Sequence, residues 1–178
     1  MDPETQERAL VDGRIAVGIL VLGDRPIFEL LRVQLLMEHP VTVALPKSHP
    51  QAALPEIRLP ILKEQPFIGL NRMYPAYGDW LQTVCQRSGF TPRIVREADG
   101  AATALAFVAA GLGVALVSEP IKKFPTRHVV FKDLVAPQPV RIPLGVVWKK
   151  NGLYSGVVED LQPSLRPDRS VLIAVAAA

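Results

Sequence analysis

The sequence holds one cysteine, Cys85, so no internal disulfide framework is open to it, and the lone thiol suits a reducing compartment. Its three histidines, His39, His49 and His128, are scattered without ligand spacing, and its carboxylates do not cluster, so no metal is expected. No run approaches the ~18 apolar residues of a membrane span. The start, Met1-Asp-Pro-Glu-Thr, lacks the basic flank and apolar core of a signal peptide. A cytoplasmic location with no membrane partner is the expectation. Lys and Arg never run beyond pairs such as Lys122-Lys123 and Lys149-Lys150, so the net charge of +3 forms no stripe for neutralising phosphates. Direct DNA binding by this chain is therefore not expected. There is no Gly-x-Ser-x-Gly elbow and no Ser/His/Asp arrangement, and no residue set calls for a cofactor.

Hydrophobic residues make up 49% of the 178, enough to bury a core as one domain or two small lobes. The 17 prolines fall at element edges, marking loops and hinges instead of a disordered tract. Asp2 offers an N-cap with Pro3 at the first helical position, which predicts a helix over Pro3 to Val11, closed by Gly13. Ile15 to Leu22 reads as a buried strand. Glu29 to Met37 alternates as a strand, and Val41 to Leu45 reads as a second one crossing into another lobe.

From Phe67 onward strands and helices alternate. The order is strand Phe67 to Leu70, loop Asn71 to Ala76, helix Tyr77 to Ser88, strand Arg93 to Glu97, helix Ala101 to Ala110 and strand Val114 to Val117. Leu105, Val108, Ala109 and Leu112 recur at helical spacing, and Gly111-Leu-Gly113 ends the helix. Val114 to Val117 is apolar on both faces, as a central parallel strand would be. Such alternation implies a parallel sheet with right-handed crossovers. Val129 to Lys132 and Pro143 to Trp148 then read as strands returning to the first lobe, before a last helix near Gly156 to Leu161.

Five stretches carry a resemblance. They are Leu10-Val-Asp-Gly-Arg-Ile-Ala-Val-Gly-Ile19, Glu38-His-Pro-Val-Thr-Val-Ala-Leu-Pro-Lys-Ser-His-Pro50 and Glu64-Gln-Pro-Phe-Ile-Gly-Leu70, then Trp80 to Phe90, and Val108-Ala-Ala-Gly-Leu-Gly-Val-Ala-Leu116 with Glu119-Pro120 after it. In this order they resemble the effector-binding domain of LysR-type transcriptional regulators, from about residue 5 to about residue 162. The resemblance implies an α/β, two-lobed periplasmic-binding-protein-like (type 2) clamshell with mixed sheets. Residues 1–40 and 119–178 would form the first lobe and residues 41–118 the second. It would also make Leu59 to Lys63 a short helix, which Pro60 opposes.

Regulators of this family carry an N-terminal helix-turn-helix domain, a linker helix and a strand-helix-strand unit before the element seen at Thr5 to Ile19, and none is present in this sequence. The first lobe is thus expected to be incomplete, and DNA to be bound only through the absent helix-turn-helix domain. The apolar tail Val171 to Val175 is expected to form a strand, either filling the vacant sheet position or pairing with another molecule.

In open α/β lobes, small ligands sit beyond the carboxyl ends of strands, where helix N-termini face anions. Two places fit. One is the loop Asn71-Arg-Met-Tyr-Pro-Ala-Tyr77, whose Arg72 and phenols suit a carboxylate and an aromatic ring, and whose Tyr74, Pro75 and Tyr77 fall near the ligand-facing positions that the resemblance implies. Tyr77 and Trp80 read equally as core residues of the helix. The other place is Asp99-Gly100, where Asp99 reads first as a helix cap and second as a ligand contact. On the opposite lobe, Val21 and Leu22 should face the cleft as the resemblance implies, although several aromatic-acid-sensing members of the family place an Arg there. Cys85, between Leu81, Val84 and the rest of its helix, reads as a packed thiol.

The expected function is ligand sensing without catalysis. A small organic effector, with a carboxylate suspected, would bind between the lobes of a homodimer or higher homo-oligomer and alter its packing on DNA. The alternatives are an independent solute-binding protein of the same fold or an enzyme built on it, which would need a convergent acid, base or nucleophile that the sequence does not offer.

Overall fold

The longest element, β2 (Leu31–Pro46), changes character midway. Its first half is exposed or half-buried apart from Leu31 and Leu36, whereas Val41 to Pro46 is buried throughout. A strand with exposed positions has a solvated face, and a fully buried one is covered on both. The two halves therefore belong to different surroundings. The structure, a computed structural model, describes residues 3–22, 29–70, 75–123, 126–136, 138–152 and 156.

Around the first half lies the sheet of the first lobe, in the order β1 (Val17–Val21), β8 (Arg141–Lys149), β2. All contacts are antiparallel, running from Leu31 opposite Lys149 to Pro40 opposite Arg141, with a register shift between Leu35 and Met37. Helix α1 (Pro3–Val11) covers one face through Leu10, which joins Leu20, Leu31 and Val147 in a small core. Gly18 permits this approach: a Cβ there would lie 3.0 Å from Gln6 Oε1 and 3.3 Å from Leu10 Cδ1. Gly13 closes the helix with φ of 74°, as its position in the sequence predicts.

The second half of β2 is enclosed on both edges. β6 (Ala115–Ser118) pairs with Val41 to Ala44, and β7 (Val129–Val135) pairs with Thr42 to Pro46 on the other side. β3 (Glu56–Arg58) then adds in parallel beyond β7. Two hydrogen bonds of 2.8 Å, Val114 N–H to Pro66 O and Ile68 N–H to Val114 O, attach the entry to β6 to β4 (Pro66–Gly69), which pairs in parallel with β5 (Arg93–Glu97). Helices α2 (Pro75–Arg87) and α3 (Ala101–Ala109) are the crossovers of this parallel portion. Phe67, Leu81, Val108, Leu116, Val43 and Leu45 meet in the main core, each fully or almost fully buried.

Two expectations are corrected. Glu29 to Met37 and Val41 to Leu45 are not separate strands, because β7 and β8 lie end to end along one side of β2 and keep its ladder going across Glu38, His39 and Pro40. Val129 to Lys132 does not join the first lobe's sheet. It pairs with Leu45 and its neighbours, where an all-buried strand leaves a second edge to be satisfied. Only β8 returns to the first lobe. Leu59 to Leu62 does coil, as a single 3-10 turn with Pro60 in its first turn, where a missing N–H costs nothing. The predicted helix near Gly156 to Leu161, apart from Gly156 itself, and the strand over Val171 to Val175 lie outside the described residues. Among the described residues no helix is long and apolar enough to cross a membrane.

Candidate ligand-binding site

The carboxyl ends of β4, β5 and β6 form a lip made by Leu70, by Ala98-Asp99-Gly100 and by Glu119. Ala98 N–H donates to Gly69 O at 2.8 Å, which locks the two strand ends together. Helix α3 starts at this lip with its first N–H groups free of helical partners, an arrangement suited to an anion. The cap is Gly100, in an extended conformation, and not Asp99 as the sequence suggests. Asp99 stands one residue earlier and exposed, and its Oδ1 accepts from Thr103 Oγ1 at 2.7 Å, so a hydroxyl takes the oxygen that a cap would offer to the backbone.

Of the other candidates, Asn71, Arg72 and Tyr74 lie outside the described residues, and Pro75 opens α2. Tyr77 is 2% exposed, with its hydroxyl donated to Leu116 O and its ring 5.2 Å from that of Trp80. Both ends of this side chain are thus committed to the protein, and of its two sequence readings the core role prevails over the ligand-facing one. Tyr77→Phe is expected to cost about 1–2 kcal/mol, because Leu116 O is left buried without its donor. Urea denaturation would measure this, and ligand affinity should be unchanged. Val21 packs half-buried against the main core, whereas Leu22, whose N–H donates to Pro143 O at 2.8 Å, turns toward a groove.

That groove, of about 790 Å³, lies between the first lobe and α2. Leu22, Glu38 and Pro143 form one wall, and Trp80, Thr83, Val84 and Arg87 of α2, with Ser88 just after it, form the opposite one. The chain's second crossing between lobes, including Gln138, Val140 and Arg141, makes the floor. Trp80 Nε1 donates to Arg141 O at 2.9 Å and pins helix to crossing. Of these residues the sequence points only to Leu22, as facing the cleft, and to Trp80, as core, although 80, 83, 84 and 87 recur at helical spacing and so share a face. Beside the crossing, burial lowers the pKa of His39 from its usual value, and the Glu119 carboxylate partly offsets this.

Cys85 is fully buried and burial pushes its thiol up to about 12. The same cause raises the Tyr77 phenol. Both groups keep their protons in the fold where the unfolded chain would ionise, so the native state binds more protons at alkaline pH. Stability should therefore fall as pH rises from the ordinary thiol value of 9.0 toward 12. The melting temperature should be lower at pH 10.5 than at pH 8 (both about 1–2 units around the ordinary thiol value), with a smaller drop in Cys85→Ala. Equal drops would exclude the thiol as a cause.

The family described as the LysR substrate binding domain matches residues 1–167. The chain belongs to that family. Its fold is accordingly the two-lobed, periplasmic-binding-protein-like (type 2) α/β clamshell with mixed sheets. Over 133 residues it is 30% identical to the HTH-type transcriptional regulator AlsR of Bacillus subtilis (strain 168), covering 72% of this chain and 42% of the relative. The C-terminal domain of a probable LysR family regulator from Rhodococcus sp. RHA1 superposes with a TM-score of 0.73 at 25% identity, covering 93% of this chain and 80% of that one. The BenM effector binding domain with its effector benzoate gives a TM-score of 0.75 at 22% identity, covering 93% and 74%. The chain spans 33%, 42% and 47% of the length of the curated regulators XapR, AlsR and TtuA. This LysR-type domain thus matches less than half the length of each of these regulators.

Proposed function

We propose that this domain senses a small organic carboxylate held between its two lobes and passes the state of the lobes to a DNA-binding homo-oligomer in the cytoplasm. The reading divides the described residues at the crossings, with those up to Pro40 and from Gln138 to Gly152 in one lobe and those from Val41 to Val135 in the other, which moves β7, expected in the first lobe, to the second. The observation that carries it is β2, one strand whose first half pairs with β8 of the first lobe and whose second half pairs with β6 and β7 of the second, so a ligand touching both lobes changes how they lie about a common hinge. The free N–H groups at the start of α3 favour an anion at the lip, and benzoate, the effector of the BenM domain, is such an anion. DNA contact belongs to a helix-turn-helix domain of the kind named in the relatives. A ligand biases the regulator only by its difference in affinity for the two lobe arrangements, so no bond in it need break.

The test is a thermal-shift screen of aromatic and aliphatic carboxylates, benzoate among them, with each compound recovered and assayed afterwards. At least one should raise the melting temperature, by the equivalent of about 2.7 kcal/mol at a hundredfold excess over Kd, and be recovered unchanged. Absence of any shift, or consumption of the compound, would count against the reading. Sedimentation at several concentrations should show a dimer or larger species.

A further inference from the structure

The groove beside α2 shares no lining residue with the strand-end lip at Leu70, Ala98-Asp99-Gly100 and Glu119. At about 1.5 Å per residue, Arg87 lies about 18 Å along α2 from Pro75, the end nearest the lip. The groove therefore extends toward the helix C-terminus, away from the free N–H groups of α3. Its size falls within the roughly 300–1,000 Å³ of small-molecule sites.

Its lining has two components. Leu22, Trp80, Val84, Val140 and Pro143 bring apolar surface from stretches distant in sequence. The indole N–H of Trp80 is already given to Arg141 O, so only apolar ring surface remains for a ligand. Arg87 and Arg141 supply exposed guanidinium groups, and among the described residues neither side chain has an ion-pair partner. Glu38 is the one carboxylate in the lining, leaving an excess of one positive charge that favours a single anionic group over two. A guanidinium matches a carboxylate with two parallel hydrogen bonds, which fixes orientation as well as charge.

The geometry points to a second small-molecule site in this groove, for a monocarboxylate with an apolar body. Its carboxylate meets Arg87 and Arg141, and its body lies on Trp80, Val84 and Leu22. Because the walls come from both lobes, occupancy is coupled to their arrangement. This site does not depend on the lip being the effector site.

The experiment is titration calorimetry of the whole chain with 3-phenylpropanoate and with the uncharged 3-phenylpropan-1-ol, which has the same apolar body. Saturable binding of the acid is expected, with the alcohol at least tenfold weaker. Arg87→Gln and Arg141→Gln should each weaken the acid at least tenfold without changing the melting curve, since both residues are exposed. Amide hydrogen exchange should place the protection at residues 80–88 and 138–143. Binding that survives both substitutions, with protection confined to residues 98–103, would overturn the groove site and leave the effector reading standing. If neither compound binds, the groove site also fails, and the effector reading is then decided separately by the carboxylate screen.

Discussion

Gly113→Val is expected to lower stability by about 3–5 kcal/mol, enough to take roughly 10 °C from the melting temperature of a domain this size. A Cβ at Gly113 would lie 2.5 Å from Pro66 O, 3.1 Å from Pro66 C and 3.2 Å from Ile68 Cδ1. The two nearest are main-chain atoms of β4, which cannot rotate away as a side chain could. Relief requires β4 and the entry to β6 to separate, breaking the hydrogen bonds that Val114 makes to Pro66 and Ile68. The core then opens next to Phe67. Gly111, two residues earlier, is the control. It has φ of +76° and nothing within 4 Å of a built Cβ, so Gly111→Ala costs only the left-handed penalty of about 1–2 kcal/mol. Urea denaturation of both variants should rank them in that order. Equal costs would mean that the β4–β6 contact gives way without loss.

Phe67→Ala should be comparably damaging, at about 3–5 kcal/mol. Phe67 is 0% exposed on β4, between β5 and the start of β6, so no element can collapse into the space without losing a ladder. Its ring stands 6.2 Å from that of Phe90 at a tilt of 38°. Phe90 is only half-buried, and truncating it should cost less. A double-mutant cycle should return about 0.5–1.5 kcal/mol of coupling between the rings. Chemical denaturation reads both quantities, and a Phe67→Ala cost below that of Phe90→Ala would contradict this packing.

The second lobe's parallel portion was legible because each element carries its own local signal. Gly111 ends α3 where the sequence puts the turn, with Leu112 N–H closing onto Phe107 O. The β2 hinge was less legible. Pro40 reads locally as a strand break, yet it falls where β8 begins and β7 takes over along the same edge, and neighbours remote in sequence decide that. The alternation of Val129 to Lys132 identified a strand but carried no information on which sheet it joins. At the site, the pattern around Asp99 foretold a helix start, while the choice of cap turned on Thr103, whose hydroxyl claims the Asp99 oxygen. Tyr77 could be core or ligand wall until Leu116 O supplied its acceptor. The groove stayed hidden because a helix face at 80, 83, 84 and 87 looks the same whether its neighbour packs tightly or leaves space.

Whether the two lobes act as one ligand sensor is decided most directly by amide hydrogen exchange, with and without a carboxylate that raises the melting temperature. Protection should rise together in β8 of the first lobe and at residues 98–103 of the second, because a bridging ligand holds both about the shared strand β2. Protection confined to a single lobe, with the other exchanging as in the free chain, would contradict sensing between lobes.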